Sequence, residues 1–336
     1  MQANGRRRVG FYWTPVNGRL EDELDLFLNT GARTVCLPHS AIDQIPIAEL
    51  RRNGVTVLLD WSCFVGEHWQ KQYPDCVPIT ADGDEFLRDD WYVPVCPNHP
   101  QVRERHLAGI AELLDTHGDQ IDGLWLDFIR YPVRWEKDQP VLRQVCFCRH
   151  CLNLFLEESR EQYSKGRTRA IAQDILAQRP EAWVGFKCER IADFVATVRS
   201  EIAARKLTLR LGMFSLPWRR FDYDGAIRSI AGQDLVLLAD YVDHFSPMVY
   251  HKLCHRRSEW IADVIHDVED WAPRTVLPII QSVDRPDTML ASELDSALLQ
   301  ALNAANGSVL IFTQVPVLDN AGKRAVVANR FRKSPP

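Results

Sequence analysis

Several things are missing from this sequence, and each absence removes a class of function. No apolar run in the 336 residues approaches the roughly 20 that cross a bilayer, so a membrane-spanning chain is not expected. Behind the basic residues of MQANGRRRVGFYW stands no apolar segment of the kind an export signal carries. The sequence therefore predicts a soluble, cytoplasmic protein. Positive charge is not in excess: the formal net charge is −5, and Lys and Arg do not gather into a stripe. That argues against a nucleic-acid partner. The first apolar segment is followed by TPVNG rather than the glycine-rich phosphate turn of an open doubly wound sheet. No organic cofactor is expected.

What is present is a regular alternation. Short apolar, β-branched segments occur at 8–13, 33–38, 55–61, 123–128, 208–215, 241–250, 275–281 and 307–313. Helix-period stretches fall between them, at 20–30, 42–53, 99–117, 183–205, 256–270, 291–305 and 319–332. Strands that are continuously apolar suit a parallel sheet covered on both faces. Eight such units, in a chain with 46% hydrophobic residues, predict a single (β/α)8 TIM barrel spanning 1–336. The competing architecture is an open doubly wound sheet, which would show fewer units. Two long connections stand out, 62–97 after the third strand and 129–180 after the fourth.

Chemistry in such a barrel sits at the C-terminal ends of the strands. The residues placed there are Trp13, His39, Asp60, Trp61, Asp127, Arg130, Ser215, Trp218, Tyr250, His251, Gln281, Thr313 and Gln314. This rim lacks the paired histidines of a catalytic zinc or iron site. It is rich in aromatic rings and carboxylates, the combination that stacks on the apolar face of a sugar while binding its hydroxyls. Any one of these tryptophans could equally be core; only their shared position at strand ends favours a carbohydrate site. Trp13, His39, Trp61, Arg130, Trp218, Tyr250 and Gln281 are the candidate substrate-binding residues.

Asp127, closing the apolar GLWLD, is the leading catalytic candidate. A carboxylate emerging from a buried strand must be compensated or put to use. Arg130 could compensate it, and a plain Asp–Arg bridge fixing the loop is the structural alternative. A glycosidase needs a second carboxylate, roughly 5–9.5 Å away. Asp60 on the neighbouring strand is the first candidate, with Glu67, Glu136, Asp240 and Asp243 behind it. His251 is a possible acid/base, because an imidazole titrates near neutrality.

The stretch DGLWLDFIRYP, 122–132, resembles the fourth-strand motif of glycoside-hydrolase-like TIM barrels. YVDHFSPMVY resembles their sixth strand and the Met-x-Tyr of family 18 chitinase-like barrels. The likeness covers strands four to six with their loops, about a third of the chain. Its departures are specific. The family 18 catalytic Glu position is Ile129 here, and the strand-four and strand-seven Glu pair of family 42 β-galactosidases is replaced by Asp127 and Gln281. LWLD is similar to the nucleophile strand of α-L-fucosidases, which implies Asp127 as nucleophile or stabilising carboxylate.

Nine cysteines are an odd number, in a chain too large to need disulfide staples. Three of them stand in CFCRHC, 146–151. C-x-C-x-x-C supplies three of the four ligands of a closed structural zinc site. VPVCPNHP offers Cys96, while His150 and Cys188 are fallback ligands; unligated thiols packed in a core are the alternative. Family 42 β-galactosidases are similar here too: that resemblance implies a zinc held by Cys96, Cys146, Cys148 and Cys151, clamping the loops beside Asp127. Three functional readings result. One is a glycoside hydrolase acting on an oligo- or polysaccharide. Another is a degenerate barrel that binds carbohydrate without turnover. The last is a different TIM-barrel hydrolase or lyase using Asp127 and His251.

Overall fold

The computed structural model describes residues 8–88, 91–157 and 168–333. Among the described residues, nine parallel strands are present: β1 (Val9–Tyr12), β2 (Thr34–Pro38), β3 (Thr56–Ser62), β4 (Gly123–Asp127), β5 (Arg210–Ser215), β6 (His244–Pro247), β7 (Thr275–Val276), β8 (Ile279–Gln281) and β9 (Val309–Phe312). Each pairs in parallel with the strand of the next unit, and β1 pairs with β9. β7 and β8 share one barrel position. β7 bonds to β6 and β8 to β9, with Pro278 and its missing N–H at the break. A parallel bridge between Met248 and Ile279 completes the ring. The fold is thus the (β/α)8 barrel expected from the alternation of segments.

The barrel interior is filled rather than hollow. Trp125 of β4 is fully buried, and its indole N–H donates to Ser246 Oγ at 2.8 Å. The ring lies against Gly212 of β5, where a Cβ would come within 2.2 Å of the indole. Only glycine leaves that volume free. This plug separates the base of the barrel from its mouth.

The long connections carry helices that periodicity missed. After β3 come Glu67–Gln72 and the 3-10 turn Pro74–Cys76, before the helix Pro100–His117. After β4 come Arg149–Glu157 and Thr168–Gln178, before Pro180–Ala204. Residues 158–167 of the predicted 129–180 insertion lie outside the described residues. The insertion is seated by aromatic packing: Trp183 stacks on Phe147 at 4.6 Å between centroids and meets Phe155 edge-on at 5.0 Å. Among the described residues, no helix is long and apolar enough to cross a membrane.

Candidate active site and thiol cluster

Asp127 is the last residue of β4, opposite Ser62 of β3 in the sheet register. The next residue, Phe128, takes a left-handed φ of 49°, uncommon for an aromatic side chain. That turn brings the Phe128 N–H back onto Asp127 Oδ1 at 2.6 Å, fixing the carboxyl at the barrel mouth. Burial raises the Asp127 pKa to about 6, against the opposing pull of Arg130 and the Phe128 amide.

Asp60 sits deeper. It pairs with Trp125, two residues short of Asp127 along the barrel, and is only 2% exposed. The Tyr12 hydroxyl donates to its Oδ2 at 2.6 Å, while Oδ1 has no partner. Burial, then the charge of Asp127, holds its pKa well above the ordinary carboxylate range. Asp60 is thus held toward its protonated form beneath the site, and it does not line the cavity above.

That cavity has a volume of about 580 Å³, within the usual range for small-molecule sites. Among the described residues, two carboxylates line it, Asp127 and Glu136. Burial raises Glu136, and the charge of Asp127 adds to this; Arg130 and Arg285 oppose it. Arg130 is buried between the Tyr92 and Phe128 rings, 5.6 and 5.2 Å from their centroids. Its Nη1 donates to the Tyr92 hydroxyl at 3.1 Å. The aromatic wall is continuous, from Trp135 to Tyr250 (5.6 Å), Phe312 (5.4 Å) and Tyr12 (5.4 Å).

Of the candidate residues read from the sequence, Asp127, Arg130, Glu136, Tyr250 and Thr313 line the cavity. The others described below lie elsewhere. Trp13 is fully buried and donates to Glu23 Oε2 at 2.9 Å; Gln314 reaches the same carboxylate. His39 stacks on Trp61 at 4.1 Å, and the Trp61 indole donates to His106. Trp218 is buried against Tyr223. Gln281 braces the following loop, accepting from Leu253 N–H and donating to the Val283 and Arg285 carbonyls. His251 is buried, its pKa lowered to about 4 by burial, and lies off the cavity lining. Glu67 pairs with Lys71 and Arg88, and Asp243 with Arg199. Glu136 ranked low in the sequence because the course of its loop is not written in local periodicity. Trp91, Trp135 and Arg285 were missed for the same reason.

The cysteine pattern assembles in space. Sγ atoms of Cys96, Cys146, Cys148 and Cys151 all lie within 4.8 Å of one another. Cys96 is 3.4 Å from Cys148 and 3.5 Å from Cys151. Zn–S bonds of about 2.3 Å in a tetrahedron would space the sulfurs by about 3.8 Å. All four are buried, and the N–H groups of Asn98 and Ile79 point at the sulfurs of Cys96 and Cys146, each at 3.4 Å. Four soft ligands with N–H donors around them could hold one metal ion, and as a complete ligand set they would leave it no open position. Neither His150, which bonds to Asp75, nor Cys188 belongs to this quartet.

No protein-family profile and no curated protein sequence matches the chain. Solved structures do resemble it in fold. The cold-adapted β-galactosidase from Rahnella sp. R3 superposes with a TM-score of 0.70 at 13% identity, over 97% of this chain and 55% of that one. Gan42B, a GH42 β-galactosidase from G. stearothermophilus, gives 0.70 at 14%, over 99% and 57%. The PgaB (BpsB) glycoside hydrolase domain from Bordetella bronchiseptica gives 0.66 at 13%, over 96% and 97%. The chain thus spans little more than half the length of those two β-galactosidases and nearly all of the Bordetella domain, sharing with all three a barrel fold at low identity.

Proposed function

We propose that the protein is a glycoside hydrolase acting on an oligo- or polysaccharide, with Asp127 and Glu136 as its two carboxylates. The observation that carries this reading is that both line one aromatic cavity at the C-terminal mouth of the barrel. The glycoside hydrolases that share the fold add support. Glycosidases divide the work between a protonated acid and an ionised carboxylate, set apart by their environments.

Asp127, held near a pKa of 6 by burial, suits the acid that protonates the leaving oxygen. This differs from the nucleophile role implied by the fucosidase-like strand. Glu136, whose burial-raised carboxyl is opposed by the charges of Arg130 and Arg285, is the partner assigned to attack or activate water. Asp60, held toward its protonated form beneath them, accepts the Tyr12 hydroxyl and orients it. The thiol quartet holds a structural zinc that stiffens both loops bordering the cavity. A zinc with four thiolates would supply no chemistry to the reaction.

The test is reducing-sugar release from a panel of glycans by wild type, Asp127→Asn and Glu136→Gln. Turnover by wild type on at least one glycan, with a loss of about a hundredfold or more in each variant, is expected. Glycan binding without turnover by wild type would favour the degenerate barrel instead.

A further inference from the structure

The opposite end of the barrel holds a second concavity, of about 1030 Å³, at the N-terminal ends of the strands. Six cationic side chains line it, Arg8, Arg33, Arg51, Lys206, Arg210 and Arg332, against the carboxylates of Asp119 and Asp122. In a chain of net charge −5, that local excess of positive charge is unusual.

How these arginines are held matters more than their number. Elsewhere on the surface, arginines are neutralised by carboxylates, as in Arg103–Asp193, Arg199–Asp243 and Arg205–Asp115, at 2.6–2.7 Å. At the base the hydrogen-bond acceptors are neutral. Arg8 Nη1 donates to His244 Nε2 at 2.9 Å, Arg33 to the Ala32 carbonyl at 3.2 Å, Arg51 to the Asp119 carbonyl at 2.7 Å, and Arg332 to the Asn29 carbonyl. Among the described residues, the one carboxylate contact, Arg51 to Asp122, is long at 3.8 Å. Because the Arg8 N–H occupies Nε2, the buried His244 must be neutral and carry its proton on Nδ1, which has no partner. A neutral acceptor positions a guanidinium without cancelling its charge, and a concave wall focuses the resulting field.

We propose that this basal bowl is a binding site for a small polyanion carrying two or more phosphate groups. Guanidinium forks match the paired oxygens of phosphate, and several converging forks suit a ligand with several such groups. The volume is that of a small-molecule site at the upper end of the range. A single concavity, rather than an extended basic stripe, favours a compact ligand over the backbone of a nucleic acid, which tracks along a stripe or groove. The site lies below the Trp125 plug, so it stands independently of the hydrolase reading.

Titration calorimetry of the full chain with inorganic tripolyphosphate, and with ATP in the absence of divalent metal, tests it. Saturable one-to-one binding is expected for at least one of them, weakening between about 50 mM and about 200 mM salt as screening grows. Equal affinities would mean that phosphate alone is read, and tighter ATP that a nucleoside is read as well. The double variant Arg33→Gln, Arg210→Gln should weaken binding at least about tenfold, the scale of a lost charge-assisted hydrogen bond. Both side chains are exposed, so an unchanged melting temperature certifies the fold. Absence of saturable binding by either probe, or affinity unaltered in the double variant, overturns the proposal. So does tighter binding of a single-stranded oligonucleotide through the same two arginines.

Discussion

Asn98 donates one amide hydrogen bond to the Tyr131 hydroxyl at 2.7 Å and another to the Cys151 sulfur at 3.3 Å. Tyr131 belongs to the same turn as Asp127 and Arg130, and its own N–H is anchored on the Ala231 carbonyl. The thiol cluster and the strand-four turn are therefore joined through a single buried side chain. A disturbance of the cluster should reach the cavity by this route, as a loss of order in its wall.

Metal analysis of protein purified without added zinc should give about one zinc per chain; a value near zero would refute the clamp. Cys148→Ser should lower the melting temperature and make it zinc-dependent, with KM rising as the loops loosen. Selective loss of kcat at unchanged stability would instead mean that the metal takes part in chemistry.

Trp91 is 53% exposed yet lines the cavity beside Phe128. An exposed indole at a carbohydrate mouth offers a stacking face at little cost to the fold. Trp91→Ala should raise KM several-fold, in line with about 1 kcal/mol for an aromatic contact, leaving kcat and melting temperature near wild type. An unchanged KM on every glycan would remove Trp91 from the binding surface.

Much of this was legible in the sequence, and the divide has a physical cause. Continuous apolar strands such as GLWLD report their burial directly, so the barrel and the position of Asp127 at its mouth followed from local pattern. The quartet of cysteines followed from spacing together with a family resemblance. Asp60 was placed too high: it stands two residues below the level of Asp127, one inward-facing layer down. Glu136 and Arg285 stand on loops whose path is set by contacts distant in sequence, and no period marks them. The aromatic rim was read too generously: Trp13, Trp61 and Trp218 occupy strand ends but turn into the packing between strands and helices.

Gly212→Ala tests the barrel plug. An added Cβ would meet the Trp125 indole at 2.2 Å, and neither β5 nor the buried ring has room to give way. Overpacking of this kind costs about 1–3 kcal/mol, to be seen as a lowered denaturant midpoint. Gly212→Ala combined with Trp125→Phe should recover part of that loss; no recovery would place the strain elsewhere.

The pH dependence separates the two roles open to Asp127. Its carboxyl titrates at about 6 in the fold against roughly 4 in an unfolded chain. As the acid, it must be protonated, so kcat/KM should fall as pH rises through about 6; as a nucleophile it must be ionised, and kcat/KM would fall as pH drops through the same value. The first outcome is expected, and the second would return Asp127 to the role implied by the fucosidase-like strand. Stability gives a check that needs no substrate. A carboxyl with a raised folded-state pKa makes the folded chain bind more protons than the unfolded one, so its contribution grows less favourable as pH climbs from about 4 to about 6. Asp127→Asn removes that penalty, and should melt higher than wild type at pH 7 by an amount worth at most about 3 kcal/mol. The advantage should shrink as pH falls and vanish near pH 4. A variant that melts lower than wild type at pH 7 would show that the ionised carboxylate is held by its neighbours, and would overturn the assignment of Asp127 as the acid.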